Sequence, residues 1–173
     1  MIGSARQITT SESVAELAFE ALVATDARRL YTLALSILRD DGEAEDAVQE
    51  TLLKAWRSWP SIRDSDHLPR WLTRVCVNYC TSVRRSLRAR GGPPLELFEA
   101  AGSWGGQSSP AEIIDVDRAY RRLSIRQRAA ITLNYGYGYS VEESADLMGC
   151  RPGTVRTHVA RGLASLRKEL DDA

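Results

Sequence analysis

Side chains that can donate hydrogen bonds are concentrated near the C-terminal end of the sequence. Six of them lie within eleven residues: Arg151, Thr154, Arg156, Thr157, His158 and Arg161. Guanidinium, hydroxyl and imidazole groups donate to phosphate oxygens, and arginine can also donate two hydrogen bonds to the edge of a guanine. We therefore predict a surface that binds duplex DNA, with a solvated polar helix face as the alternative.

Charged residues elsewhere are separated by sign along the chain. Residues 40–50 contain six acids and no base, whereas residues 68–90 contain six arginines and no acid. The whole chain carries 23 basic and 23 acidic residues, so its net charge alone does not indicate a nucleic-acid partner. The separation favours one surface for a basic partner and another for an anionic partner. Two solvated helix faces that happen to differ in sign would give the same pattern.

The sequence lacks the residue patterns of an enzyme or of a metal site. Neither the phosphate-binding motif GxxxxGK[ST] nor the zinc-binding motif HExxH occurs. The cysteines Cys76, Cys80 and Cys150 include no CxxC pair, and the only histidines, His67 and His158, are far apart. We predict no catalytic residue, no metal and no cofactor. We interpret the cysteines as packing residues, with redox sensing as the alternative.

Local signals define the helices that must carry the C-terminal donors. Two S-x-x-Q/E capping boxes, which start at Ser124 and Ser140, predict helices that begin at the following residue. Gly149 suits the left-handed residue that ends the second of these helices, and Pro152 suits the first position of a third. This third helix is expected to run to about Leu170. The arrangement is typical of a helix-turn-helix, whose second helix enters the DNA major groove.

Apolar residues in the first ninety positions also repeat at helical spacing. One such run begins near Leu30, and a second follows the break at residues 40–42. Pro60 and Pro69 are expected to bracket a loop before a third helix. In that helix the apolar positions lie on one face, while arginines and Asn78 lie on another.

A stretch rich in glycine, proline and serine divides the two groups of helices. We predict an all-α fold with two small helical domains, residues 1–90 and 112–173, joined by a flexible linker at residues 91–111. The sequence contains no apolar run of the length that a signal peptide or a transmembrane helix needs. We therefore expect a cytoplasmic protein without membrane insertion.

Two blocks of the sequence resemble the extracytoplasmic-function (ECF) sigma factors of the sigma-70 superfamily. The N-terminal block comprises AEDAVQETLLKAW at residues 44–56 and WLTRVCVN at residues 71–78, and the C-terminal block has GTVRTH at residues 153–158 as its centre. Both blocks occur in the family's order. The resemblance implies an initiation factor without enzymatic activity that binds core RNA polymerase and directs it to promoter DNA.

The resemblance also implies a role for each group of residues. The first domain, region 2, would bind the clamp of the polymerase beta-prime subunit, with the beta subunit as a further partner, through Asp46, Gln49, Glu50, Leu52 and Leu53. It would hold the melted strand of the minus-ten element through Lys54, Ile62, Arg63, Asp64, Arg74, Asn78, Arg84 and Arg85. The second domain, region 4, would read the minus-thirty-five duplex through the six C-terminal donors. An anti-sigma factor is a further implied partner.

The alternative function is a helix-turn-helix regulator that binds duplex DNA without polymerase. It explains only residues 112–173. The acidic segment and the arginine-rich helix of the first ninety residues would then have no role.

Overall fold

The computed structural model describes residues 10–62, 66–89 and 110–171. In these ranges it has one π-helical turn, Thr132–Gly136, and seven α-helices: α1 Thr10–Leu38, α2 Asp41–Ile62, α3 Leu68–Ala89, α4 Pro110–Arg122, α5 Ile125–Ile131, α6 Val141–Leu147 and α7 Pro152–Asp171. The described ranges contain no strand, and the predicted all-α fold is confirmed. None of these helices combines the length and the apolar character that crossing a bilayer requires.

Helices α1, α2 and α3 pack into the N-terminal domain. Its buried apolar side chains follow the predicted helical spacing: Leu30, Leu33, Ala34, Ile37, Ala44, Ala47, Val48, Ala55, Leu72, Cys76, Val77 and Cys80. Helix α1 ends at Leu38, and the next residue, Arg39, has a left-handed φ of 62°. The carboxylate of Asp40 then accepts a 2.8 Å hydrogen bond from the amide of Glu43, so it caps the first turn of α2.

The predicted loop from Pro60 to Pro69 is wrong at both ends. Helix α2 continues through Pro60 to Ile62, and α3 begins at Leu68, one residue before Pro69. Pro69 occupies the first turn of α3, where an amide hydrogen would have no helical acceptor. Pro60 lies in the last turn of α2. This end of α2 is held by Trp59, which is buried against Phe19 of α1 with the ring centroids 5.3 Å apart.

The C-terminal domain follows its local signals closely. Both predicted capping boxes form, because the hydroxyls of Ser124 and Ser140 accept hydrogen bonds from the third amide of their helices. Gly149 has a φ of 60°, and Pro152 is the first residue of α7. The predicted turn at residues 135–139 is only partly correct, since the chain first continues from α5 into the π-helical turn. Helix α4 begins within the last two residues of the predicted linker, most of which lies outside the described residues.

The two domains pack directly against each other, with α1 and α3 against α5 and α6. Their apolar side chains belong to one continuous cluster, in which Leu30 and Leu72 of the N-terminal domain join Leu133 and Leu147 of the C-terminal domain. The sequence predicts two domains, and the structure adds a shared core between them.

A buried arginine spans this interface. Arg128 of α5 is 2% exposed, and its Nε donates a 2.6 Å hydrogen bond to the carbonyl of Ile37, while Nη2 donates to that of Leu38 at 3.4 Å. These carbonyls belong to the last turn of α1, where no helical amide can reach them. The guanidinium therefore provides donors to the end of a helix in the other domain. Nearby, Arg39 forms an ion pair with Asp117 of α4.

Candidate functional site

The acidic segment lies on α2 and exposes an elongated patch, which we term the acidic α2 face: Asp46, Gln49, Glu50 and Leu53. Asp46 and Gln49 are exposed and Glu50 is half-buried. Leu53 is 42% exposed, one to two turns further along the same helix. Leu52 of the predicted set is half-buried and packs against the core. The structure thus presents carboxylates beside an exposed aliphatic side chain, an arrangement suited to a basic protein partner with an apolar centre.

Trp56 extends the acidic α2 face, although it was not among the predicted polymerase-binding residues. Its ring contacts Phe19 of α1 edge-on, with centroids 5.0 Å apart, yet 44% of the residue remains exposed. It lies three residues after Leu53, on the same side of the helix. That spacing is the signal that could have identified it from the sequence.

The predicted minus-ten residues are not all brought together. Arg74 and Asn78 lie one turn apart on α3. Lys54, on α2, lies 3.7 Å from Glu50 and so forms an ion pair with the acidic α2 face, and Ile62 is half-buried at the end of that helix. Arg63 and Asp64, and the side chains of Arg84 and Arg85, lie outside the described residues.

The polar face of α3 is in contact with α6. Nη1 of Arg74 and Nη2 of Arg70 each donate a 3.2 Å hydrogen bond to the carboxylate of Asp146. Arg70 also lies 3.7 Å from Glu143. Capping hydrogen bonds from Ser140 lower the pKa of Glu143, so this carboxylate is charged at neutral pH. Arg70 was not among the predicted residues, although it lies one turn before Arg74 on the same face.

The two cysteines of α3 lie on the opposite, core-facing side. Cys76 and Cys80 are fully buried and unpaired, and Sγ of Cys76 donates to the carbonyl of Leu30 at 3.8 Å. The hydrogen bond with Cys76 and burial raise the pKa of Cys80. Their positions confirm the packing interpretation for this pair, whereas Cys150 is half-buried at the turn before α7. Within the described residues, no cluster of three or more potential metal ligands is present.

The C-terminal donors form a surface at the beginning of α7, which we term the α7 donor face. Arg151, Arg156, Thr157 and Arg161 are exposed, while Thr154 and His158 are half-buried. Val155, fully buried on the opposite side of the helix, fixes this orientation. Two of the donors have internal partners. Arg156 donates to Glu142 of α6 at 2.8 Å, and the Thr157 hydroxyl donates to the carbonyl of Gly153 at 2.9 Å.

The electrostatic environment of the α7 donor face is positive at its centre. Partial burial and the charges of Arg126 and Arg161 lower the pKa of His158, so its imidazole is neutral at neutral pH. A neutral imidazole can donate one hydrogen bond and accept another at a base edge. Arg126, in the first turn of α5, is a contributor that sequence reasoning missed. Its exposed position two residues after the capping Ser124 was the available signal.

Comparison with known proteins assigns both domains to one family. The family model of Sigma-70 region 2 matches residues 22–90, and that of Sigma-70 region 4 matches residues 113–166. The chain is 35% identical to the ECF RNA polymerase sigma factor SigM of Mycobacterium tuberculosis, over 88% of this chain and 77% of SigM. It is 31% identical to EcfG of Rhodopseudomonas palustris, over 79% of this chain and 76% of EcfG.

Solved structures of similar proteins have the same fold. The sigma factor RpoE of Bartonella quintana, in complex with the anti-sigma factor NepR, matches with a TM-score of 0.68 at 28% identity, over 88% of this chain and 96% of RpoE. CnrH, in complex with the cytosolic domain of CnrY, matches with a TM-score of 0.59 at 24% identity, over 92% of this chain and 96% of CnrH. Two family models in order, relatives of this coverage and a common helical fold show that the chain belongs to the ECF RNA polymerase sigma factors.

Proposed function

We propose that this sigma factor divides its work among three surfaces. The acidic α2 face binds core RNA polymerase, the polar face of α3 holds the melted minus-ten strand, and the α7 donor face reads the minus-thirty-five duplex. In this assignment residues 1–90 act as region 2, residues 112–173 act as region 4, and residues 91–111 link them. The observation that carries the proposal is the separation of an exposed acidic and apolar surface on α2 from an exposed cationic surface on α7.

The composition of the acidic α2 face supports a protein partner. Leu53 and Trp56 expose apolar surface beside Asp46 and Gln49 on one side of a helix. An apolar centre with a charged border is the arrangement found in protein interfaces, and tryptophan is enriched among the residues that dominate their affinity. Nucleic acid would be repelled by the same carboxylates. We therefore assign this face to the beta-prime clamp of the polymerase, as the family resemblance implies.

The α7 donor face supports duplex recognition. Arg151, Arg156 and Arg161 are exposed on the helix that follows the capped helix α6 and its Gly149 turn. Arginine can pair with two acceptors of one guanine, and the neutral His158 adds a donor without adding charge. A regulator that acts without polymerase would use this surface too. It would leave the acidic α2 face and the region 2 match unexplained.

A protein inhibitor and a cellular location follow as further parts of the proposal. The RpoE structure of Bartonella quintana contains an anti-sigma factor, and its similarity to this chain supports a partner of that class here. We place the protein in the cytoplasm, because core polymerase and promoter DNA are its partners there.

The assignment of the acidic α2 face is tested by charge reversal. Asp46→Lys in the full-length chain is expected to weaken binding to core polymerase at least about tenfold, because it places a cation within the proposed interface, against a basic partner. Binding is measured by competition for core polymerase against the wild-type chain, and function by run-off transcription from a promoter isolated with this sigma factor.

Glu20→Lys provides the matched control. Glu20 is an exposed acid of α1 outside the acidic α2 face, so its reversal changes the net charge equally. It is expected to bind core polymerase like the wild type. Equal binding by Asp46→Lys and the wild type, with an unchanged far-UV spectrum, would contradict the assignment.

A further inference from the structure

The arginine that the proposed function places against a base edge is hydrogen-bonded to a carboxylate. Nη2 of Arg156 donates a 2.8 Å hydrogen bond to Oε1 of Glu142, in the first turn of α6. Glu142 was not among the residues predicted to read the duplex, which are all hydrogen-bond donors. A carboxylate on a surface that faces DNA lowers affinity, because it repels the phosphates. Its position beside Arg156 therefore indicates a role other than attraction to DNA.

The start of α6 directs Glu142 toward α7. The carboxylate of the next residue, Glu143, is engaged at the helix start, where it accepts a 2.8 Å hydrogen bond from the amide of Ser140. Val141 packs against the core, and Ala145, one turn later, is 2% exposed. These contacts fix the rotation of the helix and leave Glu142 on the side of α6 that meets the beginning of α7.

The ion pair between Arg156 and Glu142 contributes little to folding. The two side chains are 61% and 64% exposed, and solvent screens an ion pair of this exposure. Insertion of α7 into a major groove would exclude much of that water, and the contact would strengthen in the drier environment. The pair is therefore suited to act in the DNA complex rather than in the free chain.

The carboxylate can improve base recognition in two ways. A guanidinium group has five N–H donors in one plane, so the hydrogen bond to Glu142 leaves donors for O6 and N7 of a guanine. Because one edge of Arg156 is held, its plane has less orientational freedom to lose when the base is bound. Glu142 also competes with phosphate oxygens for Arg156, and phosphate contacts carry no sequence information. Both effects favour the correct base without raising affinity for DNA in general.

We propose that Glu142 is a positioning residue for duplex recognition, which holds the Arg156 guanidinium toward a base edge and away from phosphates. The proposal rests on the proposed function, because it takes the α7 donor face as the surface that reads the minus-thirty-five duplex. Arg156 supplies the contact with the base, and Glu142 supplies the orientation of that contact. The pair raises sequence discrimination at some loss of affinity.

Competition filter binding with core polymerase that carries the full-length chain tests the proposal. The probe is a duplex with the upstream element of a promoter isolated with this sigma factor. It ends before the minus-ten element, so melting does not contribute to binding. The competitors carry each single base-pair substitution across the upstream element, and one further competitor has an unrelated sequence. The discrimination ratio is the affinity for the probe divided by the affinity for a competitor.

Glu142→Gln is expected to lower this ratio at least about threefold at the base pair where Arg156→Ala lowers it, because a neutral amide holds the guanidinium less firmly. Affinity for the unrelated duplex should stay the same or rise by up to about twofold, since a repulsive charge is removed. A merely structural role of Glu142 would instead weaken binding to every duplex by the same factor. Such a uniform loss, or unchanged ratios at all positions, would overturn the proposal.

Asp171→Asn is the matched control. It also removes one negative charge from an exposed position of the C-terminal domain, but Asp171 lies at the far end of α7, about 22 Å along the helix from Arg156. Every ratio should stay at its wild-type value. An equal loss of discrimination with Asp171→Asn would show that net charge, and not the contact with Arg156, is responsible. A loss with Glu142→Gln at a different base pair would contradict positioning, because Glu142 would then contact a base itself.

A double-mutant cycle shows whether Glu142 acts through Arg156. In the wild type, Arg156→Ala is expected to lower the ratio at its base pair about fivefold or more. In the Glu142→Gln background the same change should lower it by less than about twofold, because the arginine is no longer held. Equal effects in the two backgrounds would refute the positioning role alone. If Arg156→Ala leaves every ratio unchanged in the wild type, the assignment of the α7 donor face to duplex reading fails, and the positioning role fails with it.

Discussion

The residues assigned to the two promoter elements, Arg156 and Asn78, have different hydrogen-bonding chemistry. Arg156 lies exposed on α7, where a bidentate arginine–guanine pair is worth about 1–3 kcal/mol of discrimination in a major groove. Asn78 is half-buried beside the Gly149 turn, and in the proposed function its amide pairs with a base that has already left the duplex. One residue is thus suited to the initial duplex complex, and the other to the melted complex.

Alanine variants in the polymerase complex are expected to separate these steps. Arg156→Ala should weaken the closed complex about fivefold or more and alter preference at the upstream element, with bubble opening of bound promoter nearly unchanged. Asn78→Ala should slow bubble opening with little effect on closed-complex binding. Filter binding reports the first step, and permanganate reactivity of unpaired thymines reports the second.

Arg167→Ala is the control for Arg156→Ala. Arg167 is an exposed arginine of the same helix, three turns further from the turn that follows α6. It should leave both steps unchanged apart from a small loss of general electrostatic attraction. The placement of both residues is wrong if Asn78→Ala leaves melting unaffected while Arg156→Ala abolishes it at saturating complex.

At the scale of the elements, α7 is positioned by a close approach to α5. Gly162 is buried, and a β-carbon there would lie 2.7 Å from Cδ1 of Ile131 and 3.4 Å from Cβ of Gln127. Gly162→Val is therefore expected to lower the free energy of unfolding by about 1–3 kcal/mol, since the Ile131 side chain would have to shift and the valine methyl groups would overpack the contact between α5 and α7. Urea denaturation followed by circular dichroism measures the change.

Gly153, in the first turn of the same helix, provides the comparison. A β-carbon there would meet no atom within 4 Å, so Gly153→Ala should be neutral or stabilising by up to about 0.5 kcal/mol. Similar stabilities for Gly162→Val and Gly153→Ala would contradict the close approach of α5 and α7.

The starts of α5, α6 and α7 could be predicted because their signals are local. Each signal acts within one turn of the chain. The hydroxyls of Ser124 and Ser140 cap α5 and α6, and Gly149, with a φ of 60°, precedes the proline that begins α7. The end of α2 could not be predicted in this way. It depends on Trp59 packing against Phe19, forty residues earlier in the sequence. Trp56 contacts the same Phe19 ring and still remains 44% exposed.

For the whole molecule, composition predicted two domains but not their packing. The interdomain contact depends on Arg128, whose acceptors lie about ninety residues earlier in the sequence. The sequence around an arginine in a short helix does not show whether its side chain is buried between two domains or exposed to solvent. The hydrogen bond from Arg74 to Asp146 and the half-buried position of Asn78 are consequently visible only in the structure.

The shared core predicts that the two domains unfold together. Tryptophan fluorescence and far-UV circular dichroism distinguish them, because residues 112–173 contain no tryptophan, whereas Trp56, Trp59 and Trp71 lie in α2 and α3. In urea the two signals of the wild type should give coincident transitions. Separate transitions in the wild type would show that the interdomain packing contributes little stability.

Arg128→Met tests the contact that joins the domains. Methionine retains much of the volume but donates no hydrogen bond, which leaves the carbonyls of Ile37 and Leu38 without these donors. We expect a loss of about 2–4 kcal/mol in the free energy of unfolding, because buried acceptors without partners are costly. We also expect the two transitions to separate, because the domains are then less strongly coupled.

Arg126→Met is the control, since it changes an exposed arginine of the same helix and should leave the transitions coincident. If Arg128→Met unfolds with coincident signals at the wild-type midpoint, the buried guanidinium does not couple the two domains.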